Sequence, residues 1–158
     1  MKKIALILFC YTAQVLASAT QPECPDARMF EIFVKNNTEA VCTVTQQILR
    51  RGYLEDIVHP LSLQPNEEKR MVKVQDFPFQ GSDMVLSYQC GADKFVTIES
   101  EHDIWAGDSH YVKGWIWSVA NMDAGFTFEH QSCPHNKPGK ILWTLYSHAI
   151  PSNAKGSF

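Results

Sequence analysis

The stretch EHDIWAGDSH, residues 101 to 110, gathers Glu101, His102, Asp103, Asp108 and His110 into ten positions. Carboxylate and imidazole donors together suit a divalent cation. Their spacing follows no ligand template, and short polar loops collect such residues by default. The expectation is a solvated loop that holds no metal. His130 and His135 flank Cys133; they make a second Cys/His site only if that cysteine keeps a free thiolate. A metal-dependent or hydrolytic enzyme, were this chain one, would be built around the 101–110 loop.

Other catalytic chemistry leaves no mark. The G-x-S-x-G elbow of a serine hydrolase is absent. So is a glycine-rich phosphate loop, and no cofactor is implied. Carboxylate pairs for glycoside chemistry need only proximity in space, and nothing in the sequence points to one.

The aromatic residues say more. In GWIWS, Trp115 and Trp117 share one strand face with Tyr111, while Val112 and Ile116 share the other across Gly114. Such a strand is apolar on both sides, and only one side is core by default. The surplus falls on Tyr111, Trp115 and Trp117, the candidate ligand-binding residues. Exposed aromatic rings stack on sugar faces or dock apolar partners. The competing expectation is a large tryptophan-rich core closed by the 101–109 loop. Phe126 and Phe128 oppose Thr127 and Glu129 and read as inward, as do Ile141, Trp143 and Leu145.

The elements that must position these residues alternate at strand period. Phe30, Ile32 and Val34 oppose Glu31 and Lys35. Met84, Leu86, Tyr88 and Cys90 oppose Ser87 and Gln89. Further strands are expected over 61–63, 70–74, 95–100, 111–118, 125–130 and 141–147, with breaker-rich turns between them. Residues 39–51 are ambiguous. Val41, Val44 and Ile48 fit one helix face, and Arg50-Arg51-Gly52 resembles a helix end. The β-branched run V-C-T-V-T favours a strand with Cys42, Val44 and Ile48 on one face. Arg50-Arg51 and Glu67 to Arg70 read as solvated turns. The fold class is all-β: an antiparallel β-sandwich of about eight or nine strands, with one short helix near 39–51 as the alternative.

MKKIALILFCYTAQVLASA has the parts of a secretory signal: a basic start, a short apolar run and an A-x-A site ending at Ala19. The expected organisation is a cleaved 1–19 signal and a single domain over 20–158, secreted or periplasmic. No transmembrane segment is expected in the mature chain. Cleavage removes Lys2 and Lys3, taking the formal net charge from −3 to −5. So acidic a chain has no electrostatic footprint for nucleic acid. Asn36 opens an N-x-T sequon, which matters only in a host that glycosylates.

Cleavage also leaves Cys24, Cys42, Cys90 and Cys133, spaced by 18, 48 and 43 residues. No close pair suggests zinc. Four cysteines in an exported chain suggest two disulfides, with three pairings open. Cys42 and Cys90 both lie on apolar strand faces, so that pairing is expected, with Cys24–Cys133 by elimination. Together these features point to a secreted, disulfide-stapled, non-enzymatic binding protein whose partner is a glycan, a lipid surface or a protein. The style is that of a small exported bacterial protein; in a pathogen that favours an effector or host-contact role. The alternative is a secreted hydrolase or metal-dependent enzyme using the 101–110 loop.

Overall fold

The computed structural model describes residues 28–57, 59–103, 112–128 and 139–148. The expected signal peptide, Cys24, Cys133, Tyr111, Asp108 and His110 lie outside the described residues. The described chain contains no helix and ten strands: β1 (Met29–Asn37), β2 (Cys42–Arg51), β3 (Tyr53–Ile57), β4 (Ser62–Leu63), β5 (Glu68–Gln75), β6 (Ser82–Cys90), β7 (Lys94–His102), β8 (Val112–Ala120), β9 (Asp123–Phe128) and β10 (Gly139–Tyr146). They form two five-stranded sheets, ordered β3-β5-β1-β10-β9 and β4-β2-β6-β7-β8. Within the described residues no helix is long and apolar enough to cross a membrane.

The alternation read from the sequence is what builds the core. Phe30, Ile32 and Val34 on β1 are fully buried, as are Ile141, Trp143 and Leu145 on β10. Opposite them stand Met84, Leu86, Tyr88 and Cys90 on β6 and Val96 and Ile98 on β7. Phe126 and Phe128 pack against this cluster while partly exposed. Neighbouring strands are antiparallel with one exception: β1 and β10 run parallel at the centre of the first sheet, Ile32 beside Ile141 and Val34 beside Trp143. A parallel pair needs a long crossover rather than a hairpin. Here the second sheet lies between the two strands in sequence.

The helical alternative over 39–51 does not form. β2 is a strand, and two irregularities in its pairing with β6 explain why its pattern is ambiguous. The first, between Val44 and Gln46, reverses the side-chain phase. Cys42 stays inside, but Ile48 turns outward at 40 % exposure and Leu49 packs on the core instead. A bulge inserts one residue and so breaks strict period-two alternation. β3 was not expected from the sequence. It is an edge strand with Tyr53 and Leu54 exposed, so no buried face imposes alternation on it.

Cys42 and Cys90 are directly paired in register between β2 and β6 and form a disulfide. The bond joins strands 48 residues apart in sequence, a closure that contributes about 4 kcal/mol on the chain-entropy model. Beside it, Asn36 is fully buried and ties three segments together. Its Nδ2 donates to the Ala40 carbonyl at 2.7 Å and the Leu63 carbonyl at 3.1 Å. Its Oδ1 accepts from the Thr38 backbone N–H and hydroxyl. In the folded protein the sequon is therefore a structural hub, and its amide nitrogen is closed to modification.

Candidate functional site

On the outer face of the second sheet, β2, β6, β7 and β8 carry charged and aromatic side chains. The two central strands supply carboxylates, Asp83 from β6 and Glu99 from β7. The two flanking strands each reach inward across that face from a bulge. In β2 the register shifts between Leu49 and Arg51, so Arg50 and Arg51 both point outward. In β8 the partners of Thr97 and Ile98 are Ser118 and Ile116, which leaves Trp117 as the extra residue. Bulges re-aim side chains in this way. Arg50-Arg51 is thus no solvated turn: both residues belong to a strand and make ion pairs. Glu68 to Arg70 likewise belong to a strand, β5, which contains the expected 70–74 strand, and Arg70 bridges Glu31 and Asp56, each at 2.9 Å.

β2 and β8 are three interstrand gaps apart, roughly 14 Å, and their long side chains close that distance. Arg50 Nη1 donates to Glu99 Oε1 at 2.6 Å. Trp117 Nε1 donates to Glu99 Oε2. The Arg50 guanidinium sits over the Trp117 ring, 5.4 Å from its centroid, within cation–π range. Glu99 therefore binds a cation and an indole at once, and the two also touch each other. Beneath them Glu99, Asp83 and Val85 are buried although they lie outside the sandwich core. The neighbouring row is ionic: Arg51 pairs with Glu101, and Lys113 reaches Asp103 at 3.2 Å and Glu101 at 3.9 Å.

Asp83 is the unusual member. Burial, then its hydrogen bond to Glu99 and the Glu99 charge, push its carboxyl up to about 6; Arg50 and Arg51 oppose the shift. Its Oδ1 is sealed from solvent and makes no hydrogen bond. Asp83 thus sits, beside a second carboxylate, where its charged form is disfavoured.

Of the 101–110 residues that the structure describes, Glu101 and Asp103 meet at Lys113 while His102 points the other way. Glu101 lies on the outer face with Arg51 and Lys113. His102, its neighbour on β7, points into the core, stacks on Phe30 and places Nδ1 2.7 Å from Asp76 Oδ2. Asp103 pairs with Lys113. Among the described residues no group of three or more such side chains could hold a metal.

Trp115 and Trp117 lie on the outer face, 43 % and 61 % exposed. Ile116 shares the inner face with Val112 yet is also exposed, as is Val119: from Trp115 onward every residue of this edge strand is exposed. Gly114 marks the boundary. A Cβ there would lie 2.7 Å from Trp143 Cζ2 and 3.0 Å from the Phe126 ring, so the core touches the β8 backbone itself. Asp83, Glu99 and Arg50 carried no signal in the sequence. They lie far apart along the chain, and only strand order and the two bulges bring them together.

No family model and no curated protein sequence matches this chain. Among solved structures, the crystal structure of RahU protein in complex with a TRIS molecule aligns with 80 % of this chain and 100 % of that one, at 12 % sequence identity and a TM-score of 0.47. Nothing about the site follows from that likeness.

Proposed function

We propose that this chain is an exported, non-enzymatic binding protein that holds glycans on the outer face of its second sheet, with Trp115 and Trp117 as the stacking platform. The observation that carries the reading is that Trp117 is exposed and anchored together. Its N–H is engaged by Glu99 and its ring lies against Arg50, while most of its surface stays open. A ring fixed before binding loses little freedom when a ligand arrives. Around it Arg50, Arg51 and Lys113 donate, and Glu101 and Asp103 accept, along a row suited to sugar hydroxyls. A purely apolar docking patch would lack this polar rim.

Export is part of the same proposal. It is supported by the signal-like N-terminus and by a disulfide inside the core, a bond characteristic of oxidising compartments. In a bacterium such a protein serves contact with a host or neighbouring surface. Binding is favoured over catalysis because the exposed groups of this face are the Trp115 and Trp117 rings, while Asp83, the carboxyl raised toward neutrality, has one oxygen sealed under its neighbours.

A glycan array probed with the disulfide-bonded protein tests the proposal. The expected result is retention on a subset of sugars, weakened at least tenfold in Trp117→Ala and less in Trp115→Ala. Retention only on lipid vesicles or on a protein partner, with no glycan bound, would replace the glycan by that class. Equal glycan binding by both variants would remove the site from this face.

A further inference from the structure

We propose that Asp83 and Glu99 hold one proton between them and that this proton positions the Trp117 ring. The inference depends on the binding role of Trp117 only for its consequence; its structural half is tested without a ligand.

Asp83 and Glu99 stand on the same outer face, from adjacent strands, both nine-tenths or more buried. On the β6–β7 ladder Asp83 lies diagonally beside Glu99, which pairs with Val85, and the Glu99 carboxylate helps push the Asp83 carboxyl up. Two buried carboxylates so placed meet only with a proton between them, because each is otherwise an acceptor alone. Like charges at that range, shielded from water, are strongly unfavourable. Asp83 cannot relieve the contact through Oδ1, which has no partner. Glu99 cannot move freely, because its oxygens already hold Arg50 and Trp117.

The charged groups facing the pair come from every strand of the face. β2 supplies Arg50 and Arg51, and β8 supplies Lys113. β7 supplies Glu101, which with Asp103 occupies Arg51 and Lys113. Arg50 is therefore the cation nearest to free for the pair, and it serves Glu99 and the indole together. With the proton present, Glu99 keeps both contacts and Trp117 is fixed. When the proton leaves, two adjacent anions compete for Arg50. Glu99 is drawn from Asp83, and the indole N–H loses its acceptor. Asp83 is thus a positioning residue that acts on the ring through Glu99. The midpoint is set near pH 6 by the raised Asp83 carboxyl.

The test is a pH series of two-dimensional ¹H–¹⁵N spectra of the full disulfide-bonded protein, labelled at the indole nitrogens, with the Trp117 resonance identified by Trp117→Phe. The expected result is a Trp117 indole resonance that moves between pH 4.5 and 7.5 with a midpoint near 6, while Trp143 stays fixed. Asp83→Asn should abolish the movement, and Glu99→Gln should abolish it independently if the first variant folds poorly. A Trp117 resonance indifferent to pH overturns the proposal. So does a midpoint unchanged in either variant, which would assign the titration to a group outside the pair. Glycan binding measured at pH 5 and 7.5 then reads the consequence: severalfold tighter binding at the lower pH in the native protein and equal binding in Asp83→Asn. Absence of any glycan binding would defeat the glycan reading while leaving the spectra to decide the shared proton.

Discussion

Trp143 and Trp117 use the same chemistry on opposite sides of one strand. Trp143 crosses from the first sheet, fully buried, and donates its indole N–H to Ser100 Oγ at 2.9 Å. Trp117 is more than half exposed and donates its own N–H to Glu99. Ser100 and Glu99 are consecutive residues of β7, one facing in and one facing out. A neutral hydroxyl satisfies the indole in the core without a charge to desolvate. On the outside an anion holds it, and a guanidinium stacks on the ring. The difference teaches that an anchored tryptophan is not by itself a core tryptophan. What decides is the face that carries it: Ser100 turns toward the first sheet and Glu99 away from it, and on the inner face the rings pack directly on β8 at Gly114.

The largest effect expected to expose this contrast is at Trp143. Trp143→Ala removes a fully buried ring and should cost about 3–5 kcal/mol of stability in urea denaturation. A loss below about 1 kcal/mol would mean that the two indoles are not distinguished by the core. Next comes the boundary itself. Gly114→Ala drives a Cβ into Trp143 and Phe126 and should cost about 1–3 kcal/mol by overpacking. If melting temperature is unchanged, the rings have room to retreat and the boundary is soft.

An effect of similar size separates the outer anchor from the inner one by pH. Asp83 binds its proton more tightly folded than unfolded, its carboxyl lying at about 6 against an ordinary 3.8. Its contribution is therefore fully present below about pH 4 and is lost as pH rises through 6. Between pH 4 and 7 the native protein should lose on the order of 1–3 kcal/mol relative to Asp83→Asn. Parallel stability–pH curves for the two proteins would refute this. The smallest effect belongs to Trp117→Ala, expected to change stability by less than about 1 kcal/mol while weakening ligand binding. A melting loss as large as that of Trp143→Ala would place Trp117 in the fold's support and move the functional surface elsewhere.

Where a buried face disciplines the chain, the sequence is legible. Phe30, Ile32 and Val34, or Met84, Leu86, Tyr88 and Cys90, alternate because every second side chain must leave water. The strand faces therefore also place Cys42 and Cys90 correctly. Where that discipline lapses, the pattern misleads. Tyr53 to Ile57 edges a sheet and shows no period. Ile48 was grouped with Cys42, but a bulge between them reverses its side.

By itself the sequence determined a strand-rich sandwich, most of its core faces and the Cys42–Cys90 disulfide, because these follow from local alternation and the burial it demands. It also marked GWIWS as having one apolar face too many. Tertiary structure alone decided that Trp115 and Trp117 face away from the core, because the first sheet packs only on the other side of β8. It alone set β1 parallel to β10, a choice of partner that no strand encodes in its own residues. And it alone assembled Arg50, Asp83, Glu99 and Trp117. Their meeting requires four strands in the order β2-β6-β7-β8 and two bulges in the outer pair, and single-residue insertions of that kind appear only when the strands are set side by side.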